Sequence, residues 1–345
     1  MNILHILPSL KKGGPSLVVK ELVEELSERG HDVTVGYFDS GVEIEFNSKV
    51  TTKKLDFKRG HSFLNEYDIV HTHLYRPDVY GVMNKKYIKK LVTTVHSDLY
   101  HFMSLTYGPI KGGIASLIWS LISLRFDKIF FLTVSQKNKF PIISKLVKSS
   151  VVPNGCKAIP FEGEKYNHKF GHDKIILGAC AHVVKLKRFD QVLNLIANDY
   201  GDRYRFILVG DGPELGNLKA LACELGINKK VQFVGRTLDV SQYLRCFDIF
   251  MMTSESEGMP MAVLEAASAK IPIVSSNLEV IIEFLGDEVS FFELDDLNSM
   301  RNAIDYAIEN KNEIRESSFV KYQNLYTHKA MADLYIKRYK ELRNN

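Results

Sequence analysis

Two glutamates eight positions apart, Glu257 and Glu265, bracket the stretch E-G-M-P-M-A-V-L-E. Glu257 falls in a turn with Gly258, and Pro260 suits the first turn of the apolar helix that follows. Glu265 lies about five residues into that helix, roughly 7.5 Å along its axis. Helical side chains lean toward the N-terminus, so the Glu265 carboxylate points back to the turn. The N–H groups of Met259, Met261 and their neighbours at the helix start carry partial positive charge, which favours a phosphate. A carboxylate on either side accepts pairs of hydrogen bonds from neighbouring hydroxyls. A diphosphate with a sugar on each side, a sugar nucleotide, suits this arrangement. The plainer alternative makes Glu265 an ordinary solvent-facing residue. Its neighbours A-V-L and A-A-S-A argue against that, because a charge buried among them without a partner is costly. Glu255 fits neither role and reads as a solvated loop residue.

The elements that must position these residues form two β/α halves. In the first, strands are expected at 2–7, 31–38, 67–73, 90–97, 128–135 and 150–155, with helices from about Pro15 to Arg29 and near 77–88. Residues 157–174 are polar with little apolar periodicity and read as a linker. The second half restarts with strands at 175–183, 204–212, 231–235, 248–254 and 271–276. Helices are expected near 188–199, 213–226, 239–246, 260–269 and 296–310, and a basic amphipathic helix ends the chain. Short apolar runs alternating with amphipathic helices imply parallel sheets covered on both faces. Ligands bind such sheets outside the carboxyl ends of the strands, where the motifs fall.

E-G-M-P-M-A-V-L-E resembles the E-x7-E motif of the retaining glycosyltransferases of the GT-B fold, the large group 1 (family 4-like) family. The strand before it, together with L-V-G-D-G-P-E and V-Q-F-V-G-R, makes the resemblance specific, and it covers nearly the whole chain. It implies two Rossmann-like doubly wound domains facing a cleft: residues 1–160 on the acceptor side, with helix 329–345 packing back on them, and residues 161–328 on the nucleotide-sugar side. It implies that Glu257 faces the donor sugar and Glu265 holds the ribose hydroxyls, with Gly258, Met259, Pro260 and Met261 between. N-I-L-H-I-L-P-S-L-K-K-G-G-P-S resembles the family's first strand and loop; Gly13 and Gly14 let the backbone approach acceptor or phosphate closely. T-T-V-H-S-D resembles the strand-end motif that puts His96 beside donor sugar and phosphate. His71 and His73 are also family-like, and read as structural or acceptor-side.

A-H-V-V-K-L-K-R-F-D aligns with the family segment whose Arg and Lys grip the diphosphate. Lys187 keeps the Lys. His182 stands in the Arg place, without the planar fork and fixed charge of a guanidinium. Arg188 occupies the following Gly place, where a neighbouring cation can compensate. Gly210 and Gly212 are expected to line the nucleotide side, and Arg236 to join base contacts. Further departures put Glu279 and Val280 in the usual Gly-Gly places, with Glu283 remaining, and Lys270 where Gly is usual.

No D-x-D triplet occurs, so a carboxylate-held metal on the phosphates is not indicated. Neither a P-loop nor G-x-G-x-x-G is present, which argues against P-loop ATP hydrolysis and nicotinamide chemistry. No cofactor is expected, the sugar nucleotide being a substrate. Cys156, Cys180, Cys223 and Cys246 have no metal-type spacing and fit reduced thiols. Residues 1–160 carry 22 Lys/Arg against 14 Asp/Glu, and residues 161–345 carry 23 against 27. The basic first half suits an anionic partner such as a membrane surface or a phosphorylated substrate, and nucleic acid is not expected. The segment 107–126, flanked by Lys111 and Arg125, is too short to span a bilayer but suits resting on one, with Lys85, Lys86, Lys89 and Lys90 nearby. A buried core or interface helix is the equal alternative. The start M-N-I-L-H-I-L-P-S-L lacks a secretory pattern and reads as a strand, so a cytoplasmic place is expected, peripheral on the inner membrane face.

The resemblance implies a metal-independent hexosyltransferase that retains anomeric configuration. It moves sugar from a UDP-sugar, or a GDP-sugar, to a hydroxyl of a glycan or lipid-linked glycan in surface polysaccharide assembly. With no side-chain nucleophile evident, the family's usual proposal has a leaving-phosphate oxygen help deprotonate the acceptor. His96, Glu257 and Lys187 are the catalytic candidates. Alternatives are an epimerase or hydrolase on the same fold, or a catalytically silent partner subunit, the latter motivated by His182 and the lost Gly pair.

Overall fold

The computed structural model describes residues 1–58, 60–96, 104, 108–160, 162–171, 173–237 and 239–344. Ser97 and Asp98 of the strand-end motif, Tyr107 of the apolar segment, Phe161 and His172 of the linker, Leu238 after Arg236, and Asn345 lie outside the described residues. The chain divides into two compact units, Met1–Cys156 with Tyr326–Asn345, and Lys157–Leu325.

The first unit carries β1 (Asn2–Leu7), α1 (Gly14–Glu28), β2 (Asp32–Tyr37), β3 (Val50–Lys54), β4 (Ile69–His73), α2 (Tyr75–Met83), β5 (Leu91–Val95), α3 (Pro109–Ser123), β6 (Lys128–Phe131), α4 (Val134–Asn138), α5 (Pro141–Leu146) and β7 (Ser149–Val151). Its seven strands are all parallel, in the order β3-β2-β1-β4-β5-β6-β7. The order reverses between β1 and β4, and the crevice at their carboxyl ends is where sheets of this kind bind ligands. Central strands covered on both faces read as continuous apolar runs. Ile3, Leu4, Ile6 and Leu7 of β1 are fully buried accordingly, and His5 among them is buried too. Helix α1 buries Val18, Val19, Leu22, Val23 and Leu26, one stripe at helical spacing.

The second unit carries β8 (Ile175–Cys180), α6 (Asp190–Ala197), β9 (Tyr204–Val209), α7 (Leu215–Glu224), β10 (Val231–Gly235), α8 (Ser241–Leu244), β11 (Ile249–Met252), α9 (Met261–Ser268), β12 (Ile273–Ser276), α10 (Glu279–Phe284), β13 (Ser290–Phe292), α11 (Leu297–Glu309) and α12 (Lys311–Leu325). Its six parallel strands run β10-β9-β8-β11-β12-β13, with the reversal between β8 and β11. Leu177, Val192, Phe206, Leu208, Ile249, Met251, Met300 and Ile304 fill its core.

The last helix, α13 (His328–Arg343), belongs to the first unit. It buries Met331, Ala332, Tyr335, Tyr339 and Leu342. Arg29 of the α1 end pairs with Asp333 and donates to the Lys329 carbonyl. The chain enters this helix beside residue 156: Cys156 N donates to Tyr326 O, and His328 N to Cys156 O, both at 3.0 Å.

Candidate active site

The reversal between β8 and β11 places two loops side by side in the second unit. The β8 loop carries His182 and ends in a short turn, Lys185–Lys187. The β11 loop carries Glu255 and Glu257 before α9. Hydrogen bonds sew them together: Thr253 Oγ1 donates to Lys187 O at 2.6 Å, and Glu255 N to Leu186 O at 2.9 Å. Lys187 Nζ then reaches Glu257 Oε1 at 2.5 Å, and Ser254 Oγ donates to the same oxygen at 2.6 Å. Ser276 Oγ, at the end of β12, holds the Ser254 carbonyl at 2.6 Å. The Lys187–Glu257 pair is therefore mostly buried and fixed from three strands.

Pro260 precedes α9 as its N-cap residue, one position earlier than expected, and is buried with Met259. Gly258 and Met261 are half-buried. Glu265, fifth in the helix, is half-buried rather than solvent-facing. Its carboxylate lies close enough to the buried Cys180 thiol, at the end of β8, to help burial push that thiol up. Glu265 is thus within electrostatic reach of the end of β8.

Gly210 and Gly212 have a backbone reason to be glycine. A Cβ on Gly210 would stand 1.8 Å from the Ala181 carbonyl oxygen, at φ +137°. One on Gly212 would stand 2.3 Å from the Val183 carbonyl oxygen. These glycines let the loop after β9 lie on the loop that bears His182. His182 is exposed, and its Nδ1 meets the Asp211 carbonyl at 2.8 Å. A carbonyl only accepts, so Nδ1 carries a proton, and Nε2 donates only in the protonated ring. Arg236 follows β10 at an exposed position.

Arg188 departs from the expectation of a compensating cation. Its guanidinium is engaged by Glu255 at 2.7 Å, Asp295 at 2.5 Å and Asp190 at 3.3 Å. These carboxylates push its pKa up. Glu255 is an exposed loop residue, as expected, and is also one of these anchors.

In the first unit, the strand reversal gathers histidines instead. His5 on β1, His71 and His73 on β4, and His96 just after β5 form one group. His5 Nδ1 meets His73 Nε2 at 3.0 Å, and His73 Nδ1 meets His96 Nε2 at 2.9 Å. His71 is held by Tyr339 Oη at 2.6 Å and Thr94 Oγ1 at 2.8 Å. Burial lowers the pKa of His5 to about 3 and of His96 to about 4; burial first, then neighbouring rings, hold His71 and His73 well below their usual range. Gly13 and Gly14 open α1 at the carboxyl end of β1, both exposed. A Cβ on either would meet no described atom within 4 Å.

Helix α3 is not the buried core helix of one expectation; its exposed apolar face is what a membrane-resting or an interface helix would show. It buries Gly112, Trp119 and Ser123, while Ile110, Ile114, Leu117, Ile118 and Leu121 are exposed along it. Lys111 and Arg125 are exposed at its ends. The lysine cluster is smaller than expected, because Lys85 pairs with Asp127. Among the described residues, no helix is long and apolar enough to cross a membrane.

Two family models match consecutive parts of the chain: Glycosyltransferase Family 4 over residues 12–157, and Glycosyl transferases group 1 over residues 161–325. This chain is a group 1 glycosyltransferase. Its sequence is similar, at 27% identity over 99% of both chains, to an O-antigen biosynthesis glycosyltransferase, WclY, of Escherichia coli. At 25% identity over 69% of this chain and 66% of the other, it is similar to a UDP-Gal:alpha-D-GlcNAc-diphosphoundecaprenol alpha-1,3-galactosyltransferase of Escherichia coli. Its fold matches HepE of Anabaena, solved with UDP and glucose, with a TM-score of 0.80 over 98% and 99% of the two chains at 18% identity. The fold is GT-B, as the sequence suggested.

The departures of this glycosyltransferase from its family have a backbone signature. Arg188 and Lys270, both in usual glycine places, adopt left-handed backbone at φ 47° and 55°. Each is held by acid: Arg188 by the three carboxylates above, and Lys270 by Glu316 of α12 at 2.7 Å. Glu279 and Val280 start α10, with Val280 buried. Sequence reasoning missed Thr253, Ser254 and Ser276, which fix the Lys187–Glu257 pair, and His5, which holds His73. The one available signal for His5 was a polar residue inside an apolar central strand, where a buried polar group needs a partner.

Proposed function

We propose that this glycosyltransferase moves a sugar from a UDP-sugar to a hydroxyl of a lipid-linked glycan with retention of anomeric configuration, in surface polysaccharide assembly. The observation that carries the reading is the fixed Lys187–Glu257 pair at the β8/β11 reversal, beside the start of α9 and with Glu265 behind it. A diphosphate at that helix start takes Lys187 as its cation, and Glu257 is released to accept from a hydroxyl of the donor sugar. Glu265 accepts from the ribose, with Gly210 and Gly212 shaping the neighbouring loop and Arg236 at its outer side. Negative charge grows on the leaving diphosphate as its bond to the sugar C1 breaks. Lys187 and the α9 N–H groups lie where that charge develops. The acceptor oxygen bonds to C1 on the same face, and its proton passes to an oxygen of the leaving phosphate. Gly13 belongs to the acceptor side, Gly14 to the donor phosphates, and His96 to the donor sugar; His73, expected on the acceptor side, is buried with its nitrogens on His5 and His96 and supports the site from behind. The UDP preference and the lipid-linked acceptor rest on the relatives: HepE was solved with UDP and glucose, and the galactosyltransferase acts on a diphosphoundecaprenol-linked sugar.

The exposed apolar stripe of α3, with Lys111 and Arg125, supports docking on an anionic membrane that carries such an acceptor.

The test supplies UDP-, GDP- and ADP-sugars with polyprenyl-diphosphate sugars and reads the new linkage by NMR. An axial product from an axial UDP-sugar is expected. An inverted product overturns the retaining step. Free sugar or an epimer without acceptor favours a hydrolase or epimerase, and no turnover or binding with any donor favours a silent subunit.

A further inference from the structure

The histidines of the first unit present two readings. One nitrogen each from His5, His71 and His73 lies within 4.8 Å of the others, which is the residue type and grouping of a metal site. The geometry points elsewhere. Both nitrogens of His71 are already engaged by hydroxyls. The rings of His5 and His73 are nearly parallel, at 11°, with centroids 5.3 Å apart and nitrogens 3.0 Å apart. Their centroid distance exceeds the nitrogen distance by about one ring diameter, so the rings meet edge to edge in nearly one plane. Such a contact holds a proton between two nitrogens rather than lone pairs converging on an ion. His73 and His96 also meet nitrogen to nitrogen, with centroids 5.1 Å and nitrogens 2.9 Å apart, though their planes are tilted by 42°.

This chain of rings has two possible directions, and its buried end decides between them. His5 Nε2 is buried with no hydrogen-bond partner. If the bonds ran from His96 inward, His5 Nε2 would carry an N–H with nothing to receive it, and orphaned buried N–H groups are rare. Run outward, His5 Nδ1–H donates to His73 Nε2, His73 Nδ1–H donates to His96 Nε2, and the unpartnered atom is only a lone pair. We propose that His5 and His73 are positioning residues that fix His96 in the tautomer with its proton on Nδ1. His96 then serves the transfer as a neutral hydrogen-bond donor at the end of β5. With Nε2 occupied and Nδ1 already protonated, it is not a base. Burial, which lowers the pKa of His96 to about 4, keeps the ring neutral near pH 7.

This inference rests on the proposed function only for what His96 does, and the test separates the two. Long-range proton–nitrogen NMR of the wild-type chain reads the tautomer directly, without any variant. The expected result is a neutral His96 ring with its proton on Nδ1 at pH 7. A proton on Nε2, or one metal ion per chain by elemental analysis, overturns the proposal. Of two variants, His73→Leu removes the inner donor and is expected to release His96 into mixed tautomers. His73→Asn sets an amide N–H near the place of Nδ1 and is expected to restore Nδ1–H. In transfer assays, kcat of His73→Leu is expected to fall about 10–100-fold, the scale of losing a ring's orienting partner, with KM for the donor little changed. A shifted tautomer with unchanged kcat upholds the chain of rings and overturns the role of His96 in transfer.

Discussion

Glu257, Glu265, Lys187 and His182 were legible as candidates because each lies in a contiguous motif directly after an apolar strand. Their restraints were not, because those come from far along the chain. Arg188 looked like a spare cation until Asp295, 107 positions away, was seen to engage it together with Glu255. Lys187→Ala should cut kcat by about 10²–10³, the usual loss when a group facing developing charge is removed. Steady-state kinetics at saturating donor check this, and a loss confined to KM would contradict it. His182→Arg should tighten UDP binding about fivefold, since a guanidinium supplies a planar fork and a fixed charge that an imidazole does not. Calorimetric titration reads the change, and equal affinity would show that His182 stands away from the phosphates. Gly210→Ala meets both the Ala181 oxygen and a left-handed backbone. It should displace the His182 loop and weaken UDP binding by at least tenfold.

At the scale of elements, the alternation of apolar runs and amphipathic helices was enough to place both sheets. The elements it missed carry weak patterns for physical reasons. Edge strand β3, V-T-T-K-K, buries only its first residue, so no alternation marks it. Helix α12 buries Ile314, Ser318 and Tyr322, a stripe of single residues with little apolar contrast. Helix α3 was legible as apolar, but not which face would be exposed. Its surroundings decide that: Trp119 turns inward and donates to Asp78 at 2.7 Å, leaving the isoleucines and leucines outside. Replacing Ile114, Leu117 and Leu121 by Asp should therefore abolish sedimentation with anionic vesicles while leaving the melting temperature within a few degrees. Binding that survives the triple change would sink the membrane reading.

For the whole molecule, the buried histidines make acid stability a property of the first unit. His5, His71 and His73 have folded-state pKa values below their unfolded value near 6.5, so the folded chain binds fewer protons than the unfolded one below that pH. Their stabilisation is intact above about pH 6.5 and is lost progressively as pH falls below it, for His5 down to about 3, at up to about 1.4 kcal/mol per pH unit for each ring. Asp78 acts oppositely: burial raises it to about 6, so its cost is relieved as pH falls through that value. Three rings outweigh one carboxyl. Urea unfolding should show the first unit weakening steadily below pH 6.5, and a flat profile from pH 7 to 5 would contradict the burial described. In the second unit, the proposed contact of Glu265 with the ribose of the donor nucleotide is open to measurement by calorimetric titration of UDP into the wild type and Glu265→Ala. Loss of the two hydroxyl contacts should weaken binding about 10–100-fold, whereas equal affinity in the two proteins would remove Glu265 from the ribose site.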